Sequence, residues 1–246
     1  MSLPIAVQLF SVHDEFVADY RGTLEKLATI GFQGVEFATF ADVPAEEMKK
    51  TLDEFGLVAV SSHVSGLEDP AKLEEAIEYA KVLGLKYLVC PYAQYERPEK
   101  LSEMVKILSL CGKMCAEAGI GFAYHNHAQE FELVAGKPII DHLYGGTDAA
   151  QVESEFDVYW IKFAGFSAVE YLNKYAGRIP LVHLKDMTGE ESRISTEVGE
   201  GIIDMKPIVV AAQKGGAKWL IVEQENFNMP KFDAIKVGFE NIKKLV

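Results

Sequence analysis

Cysteine is scarce in this 246-residue chain: there are three, Cys90, Cys111 and Cys115. A sparse, odd count excludes a disulfide framework and points to a reduced, intracellular setting. Cys111 and Cys115 have no second pair nearby, which favours buried inert thiols over a cysteine zinc site. Positive charge is also in deficit, with 24 basic residues against 37 acidic and a formal net charge of -13. Such a surface repels phosphate backbones and anionic lipid, so no nucleic acid and no membrane partner is expected. A small phosphorylated substrate stays compatible, because a local pocket can oppose the global sign. No apolar run reaches the ~18 to 20 residues that span a bilayer. The first twelve residues lack the basic region and cleavage site of a signal peptide, so the expected location is cytoplasmic. No GxGxxG loop follows the first strand, and GxxxxGK[ST] occurs nowhere, which excludes two familiar phosphate cradles.

What the chain does contain is a repeated unit. Short apolar runs alternate with longer amphipathic ones from end to end. The runs predict strands over Ile5 to Phe10, Gly34 to Phe37, Leu57 to Val64, Tyr87 to Pro91, Ile120 to His125, Val152 to Trp160, Leu181 to Lys185 and Trp219 to Gln224. Helical spacing follows each, and several of these helices stop at a glycine, such as Gly31, Gly56, Gly84 and Gly119. Strict alternation implies a parallel sheet covered on both faces. Eight units in a length close to the ~250 residues of a complete barrel favour a single-domain (β/α)8 TIM barrel over residues 1–246, rather than an open doubly wound sheet.

In such a barrel the active site lies at the C-terminal strand ends. Those ends are rich in acids and imidazoles. Strand one carries Gln8, strand two Glu36 and strand three His63. Strand five ends in His125-Asn126-His127 with Glu130 and Glu132 beyond it. Strand six carries Glu153, Glu155 and Asp157, strand seven His183 and Lys185, and strand eight Glu223 and Glu225. Because strand side chains alternate between faces, His125 pairs with His127, Glu155 with Asp157, and His183 with Lys185. Convergence from four adjacent strands is a far more specific pattern than one acid on one strand. Mixed carboxylate and imidazole donors suit Mn, Zn, Co or Fe as a divalent ion.

The segments AVQLFSV, GFQGVEFA, VSSHV, FAYHNHAQEFE, SEFDVYW, IPLVHLKDM and LIVEQE, in this order, resemble the sugar phosphate isomerase/epimerase family of xylose-isomerase-like barrels. The likeness spans essentially the whole chain. It implies one divalent metal ion held from strands five to eight, commonly by Glu, Asp, His and Glu. Carried over, these are Glu130, Asp157, His183 and Glu223. His125 stands where many relatives have the strand-five glutamate, so His125, His127 and Glu132 are alternatives to Glu130. The HxH pair resembles the inosose dehydratase branch. The implied activity is metal-dependent isomerisation or epimerisation of a sugar, keto-sugar or sugar phosphate through an enediolate. The alternatives are a dehydratase or 3-keto-glycoside-cleaving lyase, and a non-catalytic sugar-binding barrel. His125, His127, Glu155 and Lys185 are the expected catalytic residues. Gln8, Glu36, His63 and Tyr92 are expected on a small carbohydrate substrate. A homo-oligomer is allowed. A phosphodiesterase on the same barrel would need more ligands and a basic groove, which an acidic chain does not offer.

His13 and His142 read as surface or loop residues, and Trp160 as packing with a secondary chance of stacking on a sugar face. The polar stretch Gly189 to Gly201 is the longest loop, either a lid or a plain connection.

Overall fold

The computed structural model describes residues 2–67, 69–92 and 100–246. Its eight barrel strands are β1 (Ile5–Gln8), β2 (Gly34–Phe37), β3 (Val58–His63), β4 (Tyr87–Cys90), β5 (Gly121–His125), β6 (Glu153–Asp157), β7 (Leu181–Leu184) and β8 (Trp219–Val222). Each pairs in parallel with the next, and β8 closes on β1 through Ile5 opposite Leu220. The TIM barrel and its single-domain helical cover agree with the alternation in the sequence. Among the described residues, no helix is long and apolar enough to cross a membrane.

Alternation divides each strand between two cores. Outward residues join the large layer between sheet and helices. Inward residues form a small plug of Ala6, Val60, Val89, Ala123, Leu181 and Ile221 at the barrel's base. One step further along each strand, the same inward face turns polar: Gln8, Glu36, His125, Glu155, His183 and Glu223. The site therefore sits directly on the apolar plug. One irregularity tunes it. Val35 pairs with Ala59 but Glu36 pairs with Ser61, so β3 carries an extra residue there. The shift turns both Val60 and Ser61 inward, and Ser61 Oγ donates to Glu36 Oε2 at 2.5 Å.

Two element ends differ from expectation. β6 stops at Asp157, and a helix (Val158–Phe163) begins at once. Asp157 Oδ1 accepts the backbone N–H groups of Tyr159 (2.8 Å) and Trp160 (3.1 Å), a side-chain cap that starts a helix in a run of β-favouring residues. β1 stops at Gln8, whose Oε1 accepts the Phe10 N–H and opens a short 3-10 helix (Leu9–Val12). The three cysteines are buried, and burial pushes the Cys115 thiol up to about 12.

The long loop after β7 is tied down. Asp186, fully buried, accepts N–H groups from Met187 and Ile203 on one oxygen and from Gly199 and Gly201 on the other, at 2.8 to 3.0 Å. Asp186–Met187 also pair with Ser195–Thr196 as a small antiparallel ribbon. Ser195 Oγ accepts from the N–H groups of Glu225 and Asn226, which links this loop to the one after β8. The stretch is a fixed wall of the site. A Cβ on Gly201 would lie 2.3 Å from Asp186 Oδ1 and 2.4 Å from the Met187 carbonyl oxygen. Gly201→Ala should therefore lower stability by about 1–3 kcal/mol through overpacking, measured by urea unfolding. An unchanged midpoint would show that the Asp186 cradle is not rigid.

Candidate active site

Two groups of donor atoms stand at the mouth of the barrel and meet at His183. The outer group is Asp157, His183 and Glu223, and the inner is His63, His125, Glu155 and His183. In each, the candidate donor atoms lie within 4.8 Å of one another. Parallel registry produces the first, because Asp157 lies opposite His183, and Glu223 directly follows the Leu184–Val222 pair. His183 Nδ1 lies 3.0 Å from Glu223 Oε2, and its Nε2 lies 2.6 Å from Glu36 Oε1. Below, His63 Nε2 and His125 Nδ1 approach Glu155 Oε2 at 2.8 and 3.1 Å.

Burial and mutual attraction compete throughout this cluster. Burial opposes the charge of His63, but Glu36 and Glu155 outweigh it and push the imidazole up to about 10. The same contest raises His183 well above the ordinary histidine range, through Glu155 and Glu36. Burial disfavours the Glu223 carboxylate, yet Lys185 and His183 hold it down at about 2. For Asp157 burial wins over Lys185, and the carboxyl rises to about 7. His125 has burial and then the His183 charge against it, so it stays neutral. Burial likewise lowers His127.

Some polar atoms are left over. Asp157 Oδ2, Glu155 Oε1, His127 Nδ1 and Trp160 Nε1 are buried with no hydrogen-bond partner. Buried polar groups are ordinarily paired, so such atoms mark a place for something else to bind. The His127 and Trp160 rings are 5.3 Å apart, with Tyr92 at the exposed rim 6.4 Å from His127. Lys185 is fully buried between the Tyr159 and Trp160 rings, 4.9 Å from each, and pairs with Glu225 at 2.5 Å.

A family model described as "Xylose isomerase-like TIM barrel" matches residues 24–245. The chain belongs to that family. An inosose dehydratase from Geobacillus thermodenitrificans is 27% identical over 242 residues, covering 82% of this chain and 80% of its own length. Two solved structures described as sugar phosphate isomerase/epimerase, both from Parabacteroides distasonis, are similar throughout. One superposes with a TM-score of 0.90 at 22% identity, covering 99% of this chain and 94% of that one. The other has a TM-score of 0.82 at 26% identity and covers 99% and 98%. With relatives named as dehydratase and isomerase along its length, this xylose isomerase-like barrel is an enzyme.

Within the family frame, the expected residues divide. Asp157, His183 and Glu223 come together as expected. Glu130, expected as fourth ligand, lies outside this group of donor atoms. It sits in the turn after β5, where its two oxygens accept from the Tyr124 hydroxyl (2.8 Å) and the His127 N–H (2.7 Å). Its work is to shape the turn that carries His127. Glu132 is exposed. Gln8 and Glu36, expected on substrate, lie beneath the cup instead: Gln8 Nε2 donates to Glu36 Oε1 at 2.6 Å, and both are buried. His63 keeps a partly exposed edge but spends Nε2 on Glu155. Lys185 has its ammonium pushed up to about 12, because Glu223, Asp157 and Glu225 outweigh burial. It is a fixed cation, not a base. His142 contacts the Val134 carbonyl, a structural role. Two contributors escaped sequence reasoning. Asn126 bridges β5 to β6, its Oδ1 accepting the Asp157 N–H and its Nδ2 donating to the Asp157 carbonyl. Asp186 organises the loop wall. The invariant pattern of strand alternation gives no hint of either.

A raised carboxyl costs stability once it ionises. For Asp157 that cost is absent below its ordinary 3.8, grows between 3.8 and about 7, and is complete above. Asparagine keeps the helix cap but carries no charge. Chelator-stripped Asp157→Asn should therefore melt above the stripped wild type near neutral pH, by ~2–4 °C per kcal/mol relieved, and the gap should close in acid. A gap independent of pH would contradict the burial penalty.

Proposed function

We propose that this enzyme uses a divalent metal ion to remove a proton from carbon beside a carbonyl of a keto-sugar or keto-cyclitol. The observation that carries it is the partnerless Asp157 Oδ2, in a buried group where Asp157, His183 and Glu223 bring donor atoms within 4.8 Å of one another. That donor set fits a borderline cation such as Mn, Zn, Co or Fe. Asp157, His183 and Glu223 would hold it, and Asn126 and Glu155 would keep those ligands oriented. When bound, the ion supplies Lewis-acid polarisation of the substrate carbonyl.

The remaining chemistry belongs to the chain. His127 is the proton acceptor: neutral, with a free Nδ1 at the open side of the cup, held in place by its N–H on Glu130. His125 lies deeper, at 2% exposure with Nδ1 on Glu155, and serves to position rather than to meet substrate. Lys185 stabilises the negative charge that develops as the proton leaves. Trp160 Nε1–H donates to a substrate oxygen, and Tyr92 covers the sugar face at the rim. The Asp186 loop excludes water from one side.

From the enediolate, proton return at the neighbouring carbon isomerises, return to the opposite face epimerises, and loss of a β-hydroxyl dehydrates. Dehydration is the reading favoured by the 27% identical relative, whose name is inosose dehydratase. Isomerisation or epimerisation, of free or phosphorylated sugars, is the reading favoured by the names of the two solved structures. Keto-sugars, inososes and 3-keto-glycosides offered in D2O and watched by NMR separate them, since exchange reports the shared step and the product reports the branch. Metal-loaded enzyme should exchange the carbon-bound proton in one of these classes. His127→Gln should slow exchange by ~10²–10⁴, the share of a general base, and Glu130→Gln should leave the metal bound. Exchange that survives chelation and Asp157→Asn would refute the metal reading.

A further inference from the structure

Glu36 is fully buried and takes no part in the proposed reaction. Side chains from three other strands nevertheless converge on it. Gln8 Nε2 and His183 Nε2 each lie 2.6 Å from its Oε1, with His63 Nε2 farther off at 3.2 Å. Ser61 Oγ donates to its Oε2 at 2.5 Å. Strand register builds this row: Gln8 lies opposite Glu36, and Glu36 opposite Ser61. Without the extra residue in β3, the neighbour of Glu36 would be Val60, which has no side-chain donor. Gln8 is turned the right way as well. Its Oε1 accepts the Phe10 N–H at 3.0 Å, which leaves Nε2 for Glu36, and an amide nitrogen can only donate. Gln8 and Ser61 thus hold Glu36 as an acceptor facing His183.

A neutral imidazole carries one hydrogen, and the nitrogen that bears it has no lone pair to give a cation. His183 has two ways to place that hydrogen. On Nε2 it meets Glu36 at 2.6 Å, and Nδ1 is left bare. Nδ1 is the atom that stands 3.0 Å from Glu223 Oε2 in the outer group. The other acceptor near Nε2 is Glu155 Oε2, but it is 3.4 Å away and already faces His63 and His125 at 2.8 and 3.1 Å. We infer that Glu36 is a positioning residue: it fixes His183 with its hydrogen on Nε2 and so presents bare Nδ1 to the cation, while Gln8 and Ser61 fix Glu36. This rests on the reading that Asp157, His183 and Glu223 take an ion. A carboxylate in that place does more than orient the ring. Its charge makes the opposite nitrogen a stronger donor, an effect that an amide of the same shape lacks.

Two measurements test this on the full-length protein. In the first, chelator-stripped wild type with nitrogen-15-labelled histidine is loaded with Zn2+, and two-bond proton–nitrogen correlation spectra give the tautomer of each ring. The His183 signals are those missing from His183→Gln. They should show the hydrogen on Nε2 and zinc on Nδ1. Zinc on Nε2, or the hydrogen on Nδ1, overturns the inference with Glu36 untouched. In the second, competition against a chromogenic chelator gives the Zn2+ affinity. Glu36→Gln should weaken it by ~10- to 100-fold, the usual cost of losing a partner behind a ligating histidine. Ser61→Ala, which removes one donor from Glu36, should weaken it less and in the same direction. Unchanged affinity in Glu36→Gln, or in Ser61→Ala should Glu36→Gln fail to fold, overturns the inference and leaves the proposed function standing. A wild type that binds no Zn2+ removes the metal reading and this inference with it.

Discussion

Four carboxylates buried on top of an apolar plug are the constraint from which the rest of the site follows. Glu36, Glu155, Asp157 and Glu223 lie between 0 and 6% exposed. A fold that placed them there for stability alone would be poorly made, because desolvating a carboxylate costs several kcal/mol before any pairing returns it. Without an ion, protons on His63 and His183 supply part of the balance, which is why those imidazoles are pushed so far up. Burial still pushes the Asp157 and Glu155 carboxyls upward. The cluster is thus strained toward a cation, and the strain is held by the closed sheet around it.

The surrounding architecture serves that strain. The bulge between β2 and β3 sets Ser61 against Glu36. Asn126 locks β5 to β6 at Asp157, and Asp157 itself starts the helix Val158–Phe163, which delivers Trp160 to the mouth. Asp186 gathers four backbone N–H groups and fixes the loop wall between β7 and the helix Met205–Gly215. Each device is a local hydrogen-bonding solution, and among the described residues they leave only a few buried polar atoms unsatisfied, most of them at the mouth. Function here is legible as the residue of incomplete pairing.

Much of this was visible in the sequence. The strand–helix alternation carried the barrel, and period-two alternation within strands carried Asp157, His183 and Glu223 to one mouth. What stayed hidden has physical causes. Val158 to Phe163 is rich in β-favouring side chains, so the strand looked longer than it is; only the capping carboxylate of Asp157 starts the helix. Glu130 follows the strand closely, and sequence does not show that the Tyr124 hydroxyl and the His127 N–H both reach its carboxylate in the turn. Gln8, Glu36 and His63 were expected on substrate; Gln8 and Glu36 are buried against each other and His63 against Glu155, and sequence gives the face of a strand but not the depth of a residue in a tilted barrel. The inner group draws donors from β3, β5, β6 and β7, and no local spacing could announce it.

The account stands or falls on where a cation sits. Diffraction from crystals grown with Mn2+ or Zn2+, recorded at the metal's absorption edge, locates it directly. The account predicts an anomalous peak about 2 Å from His183 Nδ1, Asp157 Oδ2 and a Glu223 oxygen. A mouth that stays without such a peak, with His183 still hydrogen-bonded to Glu223 in metal-saturated crystals, would contradict it.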